Sequence, residues 1–289
     1  MQIADRIEQA LAQAIASAQG AGAPPLLASA LHYAVFPSGH RIRPQLCLAV
    51  AMACGDMDPA AADAAAASIE LLHCASLVHD DLPCFDDADM RRGKASVHVQ
   101  YGEPLAVLTG DALIVQAFEI LARGAAKSPQ RLASLLTIIA QSVGSPNGIV
   151  AGQAWESEAN IPLGLYQRAK TGALFAAATA AGAASAGHDP EPWRRVGDLI
   201  GEAYQVADDL KDVYGIAEEL GKPIGRDAVL GRPNAVAQLG FAGAVDHLKR
   251  LLGEAQASIP ACPGADDLHA ELAAQAARLM PRPREHAAA

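Results

Sequence analysis

Between Leu77 and Gly93 the chain reads LVHDDLPCFDDADMRRG, so five aspartates, Asp80, Asp81, Asp86, Asp87 and Asp89, run directly into Arg91 and Arg92. Carboxylates at this density repel one another unless cations lie between them. Hard oxygen ligands suit Mg²⁺, which keeps several waters and binds through one or two carboxylates together with substrate phosphates. A second acidic cluster, Asp208-Asp209-Leu210-Lys211-Asp212, lies far along the chain, and the four-residue step from Asp208 to Asp212 puts both on one helix face. Two carboxylate faces of this kind can clamp one polyphosphate through metal.

Other residues fit an anion partner. In Ser38-Gly39-His40-Arg41-Ile42-Arg43-Pro44, two arginines flank one apolar residue after a glycine. Guanidinium matches phosphate in bidentate geometry, so this is either a diphosphate grip or a solvated helix start. His73 lies two helical turns before Asp80 on the same face, about 10 Å deeper along the helix. Glu70 and His73 also form a Glu-x-x-His pair of the type found in di-iron carboxylate bundles, which need a second such pair on another helix. Lys170-Thr171-Gly172 leads into an Ala-rich apolar stretch, and its lysine is a surface cap or a cation aimed at an anion. Gln153 and Glu156 sit one turn apart, facing a cavity or water. Gln205, Asp208 and Asp212 recur at helical spacing, and Leu220 to Asp227, LGKPIGRD, is a Gly-rich basic loop suited to closing over phosphate. Asp111 stands among apolar neighbours, which predicts a buried carboxylate needing a partner, with Arg91 and Arg92 as candidates.

The elements that must position these groups are helices. Alanine is abundant, aromatics are only 4%, and no stretch alternates apolar and polar residues as strands do, so the 289 residues read as one all-α domain, 1–289, with closely packed helices. Asp58-Pro59 is an N-cap with proline at the first helical position, opening a long helix that runs to the first aspartates. Pro83 should break it, returning Asp86 toward Asp80 and Asp81 on irregular chain. Asp189-Pro190 opens another long helix, which Gly215 should end. The net charge of −10 argues against a nucleic-acid partner. Five cysteines without close spacing fit a reduced, cytoplasmic setting, and the amino terminus reads as an amphipathic helix rather than a signal peptide. Ala173 to Gly187 is the one stretch that invites a membrane reading, and it is shorter than the roughly 20 residues a bilayer needs. It is expected to be a buried helix.

Taken together and in order, GHRIRP, HCASLVHDDLPCFDDADMRRGK, LTGDAL, GQAWE, KTGALF, YQVADDLKD and LGKPIGRD resemble the trans-prenyl diphosphate synthases, most narrowly the bacterial geranylgeranyl diphosphate synthases of carotenoid and chlorophyll side-chain biosynthesis. The resemblance spans nearly the whole chain. It implies an isoprenoid-synthase-type helical bundle around a deep central cavity, a homodimer, and about three Mg²⁺ ions, with Mn²⁺ as an alternative, between the acidic motifs. Carried over, Asp80, Asp81, Asp86, Asp208, Asp209 and Asp212 are the metal-ligating acids. Arg91, Lys170 and Lys222 contact the allylic diphosphate, with Thr171 and Gln205 in support, while His40, Arg41, His73 and Arg92 bind isopentenyl diphosphate. The implied reaction joins isopentenyl diphosphate to dimethylallyl, geranyl or farnesyl diphosphate, with the released diphosphate as base.

Three positions depart from the family pattern: His40 replaces a lysine, Gly231-Arg232-Pro233-Asn234 replaces a Gly-Lys-x-Thr segment, and Glu156 stands where aspartate is usual. In farnesyl diphosphate synthases of this family an aromatic residue five positions before the first aspartate floors the product cavity. Here that position is Ala75, beside Ser76, with Leu71 and Leu72 one turn below. Removing an aromatic floor makes room for about one isoprene unit, roughly 5 Å long, so the expected main product is geranylgeranyl diphosphate (C20). The alternatives are a farnesyl diphosphate synthase, a terpene cyclase, a non-catalytic partner subunit of a synthase, and a di-iron bundle.

Overall fold

A computed structural model of the protein describes residues 2–36, 39–214 and 234–280. Helices dominate: α1 (Ile3–Ala18), α2 (Pro25–Val35), α3 (Ile42–Ala53), α4 (Pro59–Asp80), α5 (Val97–Tyr101), α6 (Glu103–Gly124), α7 (Pro129–Val143), α8 (Ile149–Ala154), α9 (Leu163–Gln167), α10 (Ala173–Ser185), α11 (Glu191–Tyr214), α12 (Ala235–Ala257) and α13 (Ala265–Leu279). One small antiparallel pair, β1 (Met90–Arg91) and β2 (Lys94–Ala95), follows the first acidic cluster. It is too short to leave an alternating signature in the sequence.

Two Ala-rich helices form the interior. In α10 every residue from Leu174 to Ser185 is buried, as expected, and α4 buries most of its length between α3 and α6. Small residues let the backbones approach: a Cβ on Gly182 would lie 2.4 Å from the Cys47 carbonyl oxygen of α3, and one on Gly197 of α11 would lie 2.4 Å from that of Phe175. Either glycine could be enlarged only by prising helices apart. The Asp58 carboxylate caps α4 by accepting from the Ala61 N–H at 3.3 Å. That satisfies one of the amides a helix start leaves unpaired.

The membrane expectation needs a correction. By length and composition α4 and the stretch Glu103–Lys127 could both cross a bilayer, whereas the Ala173–Gly187 stretch is not among the helices long enough to qualify. Most of α4 is core of the fold. On α6, Val107, Leu108 and Val115 remain exposed.

Candidate functional site

Helix α4 ends at Asp80, and Pro83 lies in the turn beyond it. The turn folds back as expected: the Asp86 N–H donates to the Asp80 carbonyl oxygen at 2.9 Å, and the Ala88 N–H to that of Asp81 at 3.1 Å. This returns the Asp86 side chain to a pocket of about 600 Å³ that Asp80 also lines. Asp208 of α11 reaches the same pocket, so both acidic motifs meet there. The pocket lies within the roughly 300–1,000 Å³ range of small-molecule sites.

Adjacent acids within each motif do different things. Asp81 is buried and accepts from Arg91 through Nε at 2.8 Å and through Nη2. Asp209 is 3% exposed, accepting from Gln205 Nε2 at 3.0 Å and from the Ala235 N–H at 2.8 Å. The acids expected to ligate metal separate here into two kinds. Asp80, Asp86 and Asp208 line the pocket, whereas Asp81 and Asp209 are spent on Arg91 and on joining α11 to α12. Gln205 serves that support, linking Asp209 to the Thr171 hydroxyl, which donates to Gln205 Oε1 at 3.2 Å. The side chain of Asp212 and all of Lys222, Leu220 to Asp227 and Gly231 to Pro233 lie outside the described residues.

Cations face the acids from two sides. Lys170 Nζ lies 3.3 Å from Asp80 and 2.6 Å from Glu156, and Glu156 is also held by Gln153 at 3.0 Å and Tyr166 at 2.6 Å. Lys170 is therefore aimed at the site rather than at solvent. The backbone widens to a π-helical turn over Arg168–Gly172, which reads as ordinary helix in sequence. Burial, with Asp86 nearby, raises the Asp80 pKa above its usual value, opposed by Lys170 and Arg91.

The second cation group contains the main correction. Arg41 does not face the pocket: it is buried, with Nε on Glu8 at 2.9 Å, Nη1 on Glu70 at 2.7 Å and Nη2 on the Val35 carbonyl at 2.9 Å. Arg43 takes its place. It lines the pocket, its Nη1 lies 3.4 Å from His73 Nε2, and its guanidinium stacks 4.4 Å from the Phe175 ring centroid. Its Nε is buried without a hydrogen-bond partner, and burial pushes its pKa down. A desolvated cation with an orphaned donor is suited to an anion. Arg92 approaches the same ring nitrogen, its Nη2 also 3.4 Å from His73 Nε2, and its guanidinium lies where any side chain on Gly39 would be, with Cζ 2.7 Å from that Cβ position. Burial first, then Arg43 and Arg92, hold the His73 pKa well below its usual value, so the ring is neutral. Arg91 ends β1, whereas Arg92 sits in the following turn with a left-handed backbone (φ 53°), and this change of direction sends Arg91 to Asp81 and Arg92 to His73. His40 is exposed and outside the pocket lining.

Glu70 belongs to Arg41, not to His73, so the di-iron pair is split. Asp111 is also corrected. It is exposed, and its neighbour is His79 at 3.8 Å rather than Arg91 or Arg92. Below the polar groups the wall is apolar, with Leu72, Ala75, Ile114, Val143 and Ile149 beside Ser76, whereas Leu71 is buried in the core and not in the lining.

The donor set tests well for a hard cation. Asp80, Asp86 and Asp208 offer only oxygens. Among the described residues no three His, Cys, Asp or Glu converge closely enough to hold an ion by themselves. The all-oxygen donor set of Asp80, Asp86 and Asp208 fits Mg²⁺, whose shell is completed by water and substrate phosphate.

Comparison with known proteins agrees with this geometry. The chain is 60% identical to a geranylgeranyl diphosphate synthase of Cereibacter sphaeroides over 91% of its length and 92% of the relative's. It is 54% identical to one of Rhodobacter capsulatus, covering 91% of each. A crystal structure of a geranyltransferase from Helicobacter pylori complexed with magnesium and isoprenyl diphosphate superposes with a TM-score of 0.80 at 28% identity, covering 96% of each chain. An FPP/GFPP synthase from Zymomonas mobilis in its apo form gives 0.78 at 29% identity, covering 95% of this chain and 98% of that one. Residues 24–262 match the family described as polyprenyl synthetase, to which this chain belongs.

Proposed function

We propose that this chain is a geranylgeranyl diphosphate synthase, condensing isopentenyl diphosphate head to tail with an allylic diphosphate in a Mg²⁺-dependent reaction. One observation carries the reading: a single pocket joins three carboxylates, two separate cation groups and an apolar wall. Asp80, Asp86 and Asp208 would hold the metal, about three ions in all with Mn²⁺ as an alternative, and the bound ions would neutralise charge on the departing diphosphate. Lys170 and Arg91 orient the allylic diphosphate against that cluster. Arg43, Arg92 and neutral His73 hold isopentenyl diphosphate on the other side. The allylic carbon–oxygen bond breaks, the double bond of isopentenyl diphosphate attacks the allyl cation to form the new carbon–carbon bond, and the released diphosphate takes the proton. No side-chain base is required.

The apolar wall excludes water from the cation and receives the growing tail. Ala75 and Ser76 leave room for it where an aromatic would close the pocket, which supports C20 rather than C15. The exposed apolar residues Val107, Leu108 and Val115 of α6 support a homodimer formed through that helix. A cytoplasmic setting and a role supplying carotenoid synthesis complete the proposal. The test is incubation of purified protein with Mg²⁺, labelled isopentenyl diphosphate and each of the three primers, followed by product sizing. Geranylgeranyl diphosphate from all three is expected. Farnesyl diphosphate as the end product would overturn the length assignment, and no condensation at all would overturn the function.

A further inference from the structure

We propose that His79 is the positioning residue for the first acidic motif: a notch at Gly110 on α6 grips its imidazole and so fixes the last turn of α4, from which Asp80 and Asp81 project. This rests on the reaction proposed above. A Cβ on Gly110 would lie 2.0 Å from His79 Nε2, 2.4 Å from Cδ2 and 2.6 Å from Cε1, so the ring occupies the space that any side chain at 110 would fill. Nε2 lies 3.2 Å from the Val107 carbonyl oxygen. A carbonyl can only accept, so Nε2 carries the proton, and Asp111 Oδ1 at 3.8 Å lies beside it. Two residues of the LTGDAL motif, Gly110 and the exposed Asp111, together with the Val107 carbonyl just before it, all address one imidazole.

The next two residues after His79 carry the motif. The Asp80 and Asp81 carbonyls accept the Asp86 and Ala88 N–H groups, so the whole acidic loop hangs from the turn that His79 pins. His79 itself lines the pocket beside Asp80. Without the anchor that turn can rotate against α6, and a displacement of about 1 Å at a catalytic group costs on the order of 10²-fold in rate.

The experiment compares wild type, His79→Ala, Gly110→Ala, the double variant and His79→Gln, whose amide nitrogen can reach as Nε2 does. Thermal unfolding, calorimetric titration with inorganic diphosphate in Mg²⁺, and steady-state kinetics are measured on each. In the wild-type background Gly110→Ala should lower Tm by several degrees. In the His79→Ala background it should raise Tm by about 2 °C, because alanine is the better helix former. His79→Ala and Gly110→Ala should each weaken Mg²⁺–diphosphate binding and lower kcat by on the order of 10²-fold, leaving KM for isopentenyl diphosphate nearly unchanged. The double variant should be no worse than either, and His79→Gln should recover most of the binding. Stabilisation by Gly110→Ala in both backgrounds would overturn the notch. Unaltered diphosphate binding in His79→Ala would overturn the positioning role. If wild type formed no prenyl product the reaction would fall, and the diphosphate titration would still decide what His79 does.

Discussion

Arg41 and Arg43 are two residues apart and have the same side chain, yet opposite consequences should follow from removing them. Arg43 is half-buried, its Nε is buried and has no hydrogen-bond partner among the described residues, and none of its hydrogen bonds there goes to a carboxylate. Burying such a charge is costly without substrate, so Arg43→Met should leave Tm unchanged or raise it slightly. It should also remove two charge-assisted hydrogen bonds to isopentenyl diphosphate, each worth about 1.5–3 kcal/mol. At 1.4 kcal/mol per tenfold, the lower figure for both gives roughly a 100-fold rise in KM for isopentenyl diphosphate, with KM for the allylic primer little changed. Arg41→Met does the reverse. It strands Glu70, whose side chain is 2% exposed, as an unpaired buried charge, which costs about 3–5 kcal/mol and should lower Tm by roughly 10 °C. At temperatures where it stays folded its KM values should be near normal. The assay is initial rate against each substrate in turn, with a thermal melt on the same samples. A normal KM for isopentenyl diphosphate in Arg43→Met, or a 100-fold rise in a well-folded Arg41→Met, would refute the assignment.

Three further outcomes follow from the same geometry. Asp80→Asn and Asp208→Asn should each lower kcat by at least about 10³-fold while leaving Tm unchanged or raised, since crowded carboxylates repel without metal; near-normal turnover in either folded variant would count against the two-motif site. His73 stays neutral in the fold and gains its proton near pH 6.5 when unfolded, so below that pH the unfolded state binds more protons and stability falls with pH, by up to about 1.4 kcal/mol per unit. His73→Gln should flatten the slope of Tm between pH 7 and 5, and an unchanged slope would show that His73 is not held neutral. Leu72→Ala should lengthen the product by opening the pocket wall, whereas Leu71→Ala should only destabilise, by about 2–5 kcal/mol, because its cavity opens in the core; product sizing and melts separate the two.

The sequence could be read well where one element decided the outcome. The Asp58 cap, the length of α4, the break at Pro83 and the return of Asp86 all follow from local backbone chemistry. Reading failed where the deciding partner was distant in sequence. Arg41 precedes α3 in a left-handed backbone conformation (φ 48°) while Arg43 lies in its first turn, so the two point apart, and which faced the pocket depended on Glu8 of α1 and Glu70 of α4. Asp81 and Asp209 look like ligands in an acidic run until Arg91 and the start of α12 claim them. Asp111 looks buried because its neighbours are apolar, yet that face of α6 is exposed. Leu71 and Leu72 are neighbours in sequence and point to different compartments, a distinction fixed only once α6 and α7 are placed. His79 was legible in principle: a histidine before the aspartates and a glycine inside an apolar helix both ask for an explanation.

In the proposed reaction a single pocket directs condensation, and its small-residue wall at Ala75 sets where elongation stops. The most direct measurement is side-by-side chromatography of dephosphorylated products from wild type and Ala75→Tyr, each given dimethylallyl diphosphate, isopentenyl diphosphate and Mg²⁺. A C20 alcohol is expected from wild type and a C15 alcohol from the variant, because the phenol fills the space of about one isoprene unit beside Ser76. A C15 product from wild type, or an unshifted C20 product from a folded and active Ala75→Tyr, would contradict it.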